Sequence, residues 1–145
     1  YIADRRIAVE VCLTSNLQTN PDIGDIKNHN FQHMLDNRLA TIICTDNRLV
    51  SRTTVSNEYQ LAVDNFDISL KRLKDIVAYG FKKNFFPGRY VEKRDYAKQN
   101  LEYFDKVVKQ FGLSALDSFS TSTKCPAPPS FRSSRSTDVI TAYLS

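Results

Sequence analysis

Asp46 is the residue whose type and setting are best suited to chemistry. It stands in Thr45-Asp46-Asn47-Arg48, directly after an almost wholly apolar run from Leu39 to Cys44. A carboxylate at the mouth of a buried strand loses hydration, and a metal ion, a cation or hydrogen-bond donors must compensate. Position alone leaves two readings. Asp46 is either a ligand or it caps the backbone amides of the following loop, the commoner use of Asp. A second polar cluster, Thr14-Ser15-Asn16, follows the apolar run from Ile7 to Cys12, which only Glu10 interrupts. These three residues either line a pocket or satisfy backbone groups at the strand end, and the latter is the more frequent role of such residues. Glu10, if buried, needs a partner, and Arg48 is the candidate.

The remaining metal-binding residue types are sparse. His29 and His33 have the i, i+4 spacing of a zinc-binding HExxH helix, but Asn30 stands where the general base belongs. They therefore read as a helix-start histidine and an exposed one. Cys12, Cys44 and Cys125 are too far apart for a CxxC motif or a disulfide framework. Cys12 and Cys44 sit in apolar runs, where a reduced thiol acts as a small hydrophobe. The HxE and PCxxC signature of cytidine-type deaminases does not occur.

The elements that must position these residues follow from periodicity. Ile7 to Cys12 and Leu39 to Cys44 read as short buried strands, each ending in polar residues. Between them, Asn20, Pro21, Asp22 and Gly24 predict a loop over 18–27, and Phe31, Met34 and Leu35 predict a short helix. Apolar strands separated by a helix indicate parallel β/α units, so the fold class is α/β. Helical periodicity then covers 56–66, 69–84 and 89–111, with Ser69 as an N-cap and Pro87-Gly88 as a break. The last helix is strongly amphipathic and is expected on an outer surface. Two parallel strands leave open edges and need more sheet, expected upstream of Tyr1; the start without methionine reads as a cut. Both polar clusters lie past the C-terminal ends of strands, the edge that holds the active site of a parallel β/α barrel.

With 41% hydrophobic and 25% charged residues the composition is that of a soluble globular protein. The formal charge of +4 is mild, and the basic residues are interspersed with acids in helical segments, which argues against a nucleic-acid partner. No run approaches the roughly 20 apolar residues of a membrane span, and no signal-peptide layout is present, so no membrane partner and a cytoplasmic location are expected. Beyond residue 111 the chain turns rich in Ser, Thr and Pro, and 112–145 reads as a disordered tail.

Three segments carry a resemblance. Glu10-Val11-Cys12-Leu13-Thr14-Ser15-Asn16, Thr45-Asp46-Asn47-Arg48-Leu49-Val50-Ser51 and Ser56-Asn57-Glu58-Tyr59, in this order and with these gaps, resemble the last third of the adenosine deaminase family. The Phe-Phe-Pro segment at 85–87 is similar to that family's C-terminal helical region. The resemblance covers residues 1 to about 111 and implies the last two strands of a (β/α)8 TIM-type barrel.

It further implies that Asp46 is a ligand of a catalytic zinc and orients the attacking water for hydrolytic deamination at purine C6. Asn47, where many members have a second Asp, is implied as the donor to purine N7, since an amide donates at ordinary pH and a carboxylate must first be protonated. Leu13 departs from the family's frequent proline. The family's zinc-binding histidines, its glutamate proton shuttle and a further catalytic histidine lie in segments that this sequence lacks. One zinc is therefore expected only in an intact parent, acting on a purine nucleoside, and the chain alone is expected to be inactive. Two other readings remain: a truncated, non-catalytic module whose last helix binds a partner chain, and a nucleic-acid arm formed by the tail.

Overall fold

The computed structural model describes residues 1–112. Two four-residue strands, β1 (Ala8–Val11) and β2 (Ala40–Ile43), pair in parallel with Ala8 opposite Ala40 and Val11 opposite Ile43. Parallel pairing demands a crossover. It is supplied by α1 (Leu13–Thr19), a 3-10 turn at Ile26–Asn28 and α2 (Phe31–Asp36). After β2 come α3 (Arg48–Ser51), α4 (Val55–Asn65), α5 (Leu70–Lys83) and α6 (Tyr90–Gln110). The mixed α/β class expected from the apolar runs is thus observed, and each strand keeps one unpaired edge among the described residues.

The three long helices begin and end where their sequences predict. Ser69 Oγ accepts the Arg72 N–H at 3.2 Å, and Lys82 and Lys83 close the last turn of α5, where cations suit the helix dipole. Thr54 Oγ1 accepts the Asn57 N–H at 3.2 Å to cap α4. Glu92 reaches back to accept the Arg89 N–H at 2.8 Å and fixes the start of α6. Between α5 and α6, Phe86 stacks on Tyr96, which also meets Phe81 edge to face. A Cβ at Gly88 would stand 2.6 Å from the Phe86 ring, so the break needs glycine there.

Leu73, Ile76 and Val77 of α5 face inward, and α5 packs on β2 and on α6, whose Phe104, Val107 and Val108 complete that side. Phe31 is fully buried and meets Phe66 edge to face at 5.1 Å, joining the crossover to the end of α4.

Two elements differ from expectation. Leu13–Thr19 is a helix rather than a polar loop, although Thr14, Ser15 and Asn16 are turn formers by composition. Burial of Leu13 and a distant carboxylate, described below, hold that helix. The single turn α3 was not foreseen and is set by Asn47. Glu10 is exposed, needs no buried partner and makes no ion pair with Arg48 among the described residues. The tail expected from 112 onward lies, apart from Gly112, outside the described residues, as does Cys125.

Candidate functional site

Asp46 emerges three residues after the end of β2 with φ 55°, a left-handed conformation that Asp adopts more readily than most residues. Its side chain is exposed, so the loss of hydration expected at a strand mouth does not apply here. What holds it is Ser15, whose Oγ donates to Asp46 Oδ2 at 2.8 Å. The second carboxylate oxygen makes no hydrogen bond among the described residues, so the carboxylate is oriented without being used up. Capping of the following loop falls to its neighbour: Asn47 Oδ1 accepts the Leu49 and Val50 N–H groups, both at 3.2 Å. The cap of this loop is therefore Asn47 and not Asp46. Because the cap engages the oxygen, the Nδ2 group of the exposed Asn47 remains available as a donor.

Thr14, Ser15 and Asn16 are not a strand-end turn. They lie in the first turn of α1, Ser15 buried and Thr14 and Asn16 half-buried, and each makes a long-range bond. The Thr14 N–H is accepted by Glu58 Oε2 at 3.2 Å, and Glu58 Oε1 accepts from Thr53 Oγ1 at 2.8 Å. Glu58 is completely buried. Helix α1 has no side-chain cap of its own, since Cys12 occupies that position, and Glu58 supplies an acceptor from α4 instead. A buried carboxylate with two donors is well satisfied. Sequence reasoning quoted Glu58 within a motif without giving it a role; its place one turn into a helix opened by Thr54 was the available signal.

Asn16 reaches His29, with its side-chain amide 2.9 Å from Nε2. His29 Nδ1 accepts the Phe31 N–H at 3.0 Å, so in the neutral ring the proton sits on Nε2 and Asn16 must present its oxygen there. Burial pushes the His29 pKa below its ordinary value of 6.5. His33 is exposed on α2. The two histidines serve the helix start and the surface, as their sequence suggests, and they do not approach Asp46 as a ligand pair. Among the described residues no group of three His, Cys, Asp or Glu side chains converges to hold a metal ion.

Cys12 and Cys44 are reduced and half-buried at the ends of adjacent strands. Burial first, then the charges of Asp46 and Glu58, push the Cys12 thiol up, with a hydrogen bond from the Asp46 backbone pulling the other way. Burial, with Glu10 adding to it, pushes Cys44 up to about 11. Both are protonated near neutrality and are poor nucleophiles.

The arrangement thus provides one oriented carboxylate, an adjacent amide donor and a serine that fixes the carboxylate, all at the C-terminal ends of two parallel strands. The family model described as adenosine deaminase matches residues 1–108. A probable adenosine deaminase of Dictyostelium discoideum is 31% identical over 106 residues, 72% of this chain and 14% of that protein. An adenosine deaminase of Mycobacterium sp. (strain JLS) is 34% identical over 86 residues, 59% of this chain and 24% of the relative. The N6-mAMP deaminase of Arabidopsis thaliana is 44% identical over 64 residues, 44% of this chain and 18% of the relative. The chain therefore spans no more than about a quarter of the length of these relatives. No solved structure matches it.

Proposed function

The chain belongs to the adenosine deaminase family, and on that premise we propose that it forms the last two strands of a (β/α)8 barrel and one corner of a hydrolytic aminopurine deaminase site. The parallel register, the strand-helix alternation and the placing of Asp46 and Ser15 at one end of the strands support the barrel reading. The observation that carries the functional reading is the Asp46 carboxylate, held by Ser15 at 2.8 Å with its other oxygen open.

Among the described residues no group of three His, Cys, Asp or Glu side chains forms, so they fit a zinc site through Asp46 and not as a complete ligand set. Asp46 would hold the metal together with histidines from upstream segments of an intact polypeptide. A bound zinc supplies a water of pKa about 7. Within this chain, the open oxygen of Asp46 accepts a hydrogen bond from the attacking water and directs its lone pair toward purine C6. Ser15 keeps the carboxylate in one rotamer during that step. Asn47 Nδ2 donates to purine N7 while its oxygen remains engaged by α3, which ties substrate orientation to a fixed helix end. Ammonia leaves after attack at C6. The proton transfers to N1 and to the leaving nitrogen belong to residues outside this chain, so the 145 residues by themselves are not expected to turn over substrate.

The identity with an N6-mAMP deaminase favours a second substrate reading, a 6-substituted purine nucleotide in place of adenosine. The test is made in the intact parent polypeptide. Asp46→Ala should abolish zinc retention, measured by metal analysis, and deamination of both adenosine and N6-methyl-AMP. Full zinc content with unchanged turnover in that variant would refute the assignment, and the wild-type rates on the two substrates decide between the substrate readings.

A further inference from the structure

A groove of about 1110 Å³ lies at the opposite end of the strands from Asp46. Seven basic and two acidic side chains line it, a local surplus of five, whereas the whole chain carries a formal charge of only +4. The basic residues that look evenly spread along the sequence are gathered by the fold into one groove. Lys82 and Lys83 come from the end of α5, and Lys93, Arg94 and Lys98 from the first half of α6. Arg6 and Arg38 come from the turns that feed β1 and β2.

Those two arginines are equivalent positions. Each stands two residues before a pair in register, Ala8 with Ala40, which places them side by side at the start of the sheet. Each is left-handed, with φ 50° and 56°, and each sits in the same turn: Arg6 N–H to Ala3 O and Ile7 N–H to Ile2 O, Arg38 N–H to Leu35 O and Leu39 N–H to Met34 O. Glycine or asparagine is the usual occupant of such a turn. A helix C-terminus favours a cation nearby, but it gives no reason for two guanidinium groups beside two further lysines. Lys93 donates to Asn84 O at 2.7 Å, Arg94 meets Asp95 at 3.4 Å, and Lys98 lies 3.8 Å from Glu102. Arg6, Arg38, Lys82 and Lys83 have no carboxylate partner among the described residues.

We propose that this groove binds a polyphosphate group, either free or carried on a nucleoside. Four unpaired cations converging from three elements match a ligand with several negative charges, and guanidinium forks suit phosphate oxygens. The groove's apolar lining is mostly alanine, with no large aliphatic pocket to anchor a peptide side chain. Tyr79 and Tyr90 offer hydroxyl donors and ring faces instead. The proposal is independent of the deaminase reading, since it uses neither Asp46 nor Asn47.

Titration calorimetry of the full chain with inorganic tripolyphosphate, with adenosine triphosphate and with hexaglutamate tests it. Saturable one-to-one binding of tripolyphosphate is expected, weakening as salt rises. Lys82→Gln with Lys83→Gln should weaken it at least about tenfold, the loss expected for a charge-assisted hydrogen bond. Arg6→Gly with Arg38→Gly should do the same while suiting the left-handed turns, and circular dichroism confirms the fold of each variant. Lys27→Gln with Lys109→Gln, outside the groove, should leave binding unchanged. Tighter binding of adenosine triphosphate than of tripolyphosphate would support the nucleoside-borne form, and the reverse the free one. Absence of saturable binding, equal losses in the outside variant, or hexaglutamate binding as tightly as tripolyphosphate would overturn the proposal.

Discussion

Replacing Glu58 by Ala should destabilise the protein far more than replacing it by Gln. Glu58 is completely buried and accepts two hydrogen bonds, from the Thr14 N–H at 3.2 Å and the Thr53 hydroxyl at 2.8 Å. Alanine leaves both donors unsatisfied, each costing about 1–3 kcal/mol, and empties the space of a side chain; the sum is ~3–5 kcal/mol. A domain has only about 5–15 kcal/mol in total. Glutamine keeps one oxygen for Thr14, and the Thr53 hydroxyl can rotate to accept from the new amide. Only the charge assistance is lost, ~1 kcal/mol. The difference is read by urea denaturation followed by circular dichroism. With a slope of ~1.5 kcal/mol/M, the alanine variant should lose ~2–3 M in midpoint and the glutamine variant under about 1 M. Equal shifts for the two variants, or an alanine shift below about 0.5 M, would refute the claim that this carboxylate caps α1 from across the fold.

Two further outcomes separate roles that coincide in one side chain. In the intact parent, Asn47→Asp preserves the oxygen that caps α3 but removes the Nδ2 donor. Its stability should stay within about 0.5 kcal/mol while kcat/KM falls at least about tenfold, whereas Asn47→Ala should show the same fall in kcat/KM and also lose about 1 kcal/mol of stability; unchanged kcat/KM in the Asp variant would remove Asn47 from substrate binding. His29 has a folded-state pKa below 6.5, so the unfolded chain takes up the proton first. Its contribution to stability is complete above pH 6.5 and is lost as pH falls through the folded value, where protonation of Nδ1 also opposes the Phe31 N–H. His29→Asn can accept the same N–H without titrating and should flatten the stability profile over that window in a pH series of thermal melts; an unchanged slope would show that another group sets it.

The helices α4, α5 and α6 were legible because their signals are local: apolar residues at 3.6 spacing, Ser69 as a cap, and Pro87-Gly88 as a stop. The strands were legible as apolar runs, and Asp46 as the polar residue beyond one of them. Bonds between distant residues left no local trace. Nothing within Thr14-Ser15-Asn16 reveals that a carboxylate 44 residues away accepts from Thr14, so composition favoured a turn where a helix forms. Ser15 was a pocket candidate by position, but its bond to Asp46 depends on the parallel register. A loss of hydration is expected for Asp46 from its place at the mouth of a buried strand, while in the left-handed turn its side chain is exposed. The clustering of cations was hidden for the same reason, since residues 6, 38, 82 and 83 become neighbours only after folding.

The parallel pairing of β1 with β2 also dictates an order of events. Ala8 cannot meet Ala40 until the whole crossover between them has collapsed, so no hairpin can seed this sheet. By contrast, α5 and α6 are joined by a short segment, and their contact closes a small loop. Loop-closure entropy and contact order therefore predict a helical hairpin as the early nucleus and the sheet as the late event. Within this chain β1 precedes β2, so the edge of β1 that faces β2 is paired only after the crossover and β2 have followed it. The segment that brings Ser15 to Asp46 is thus assembled last.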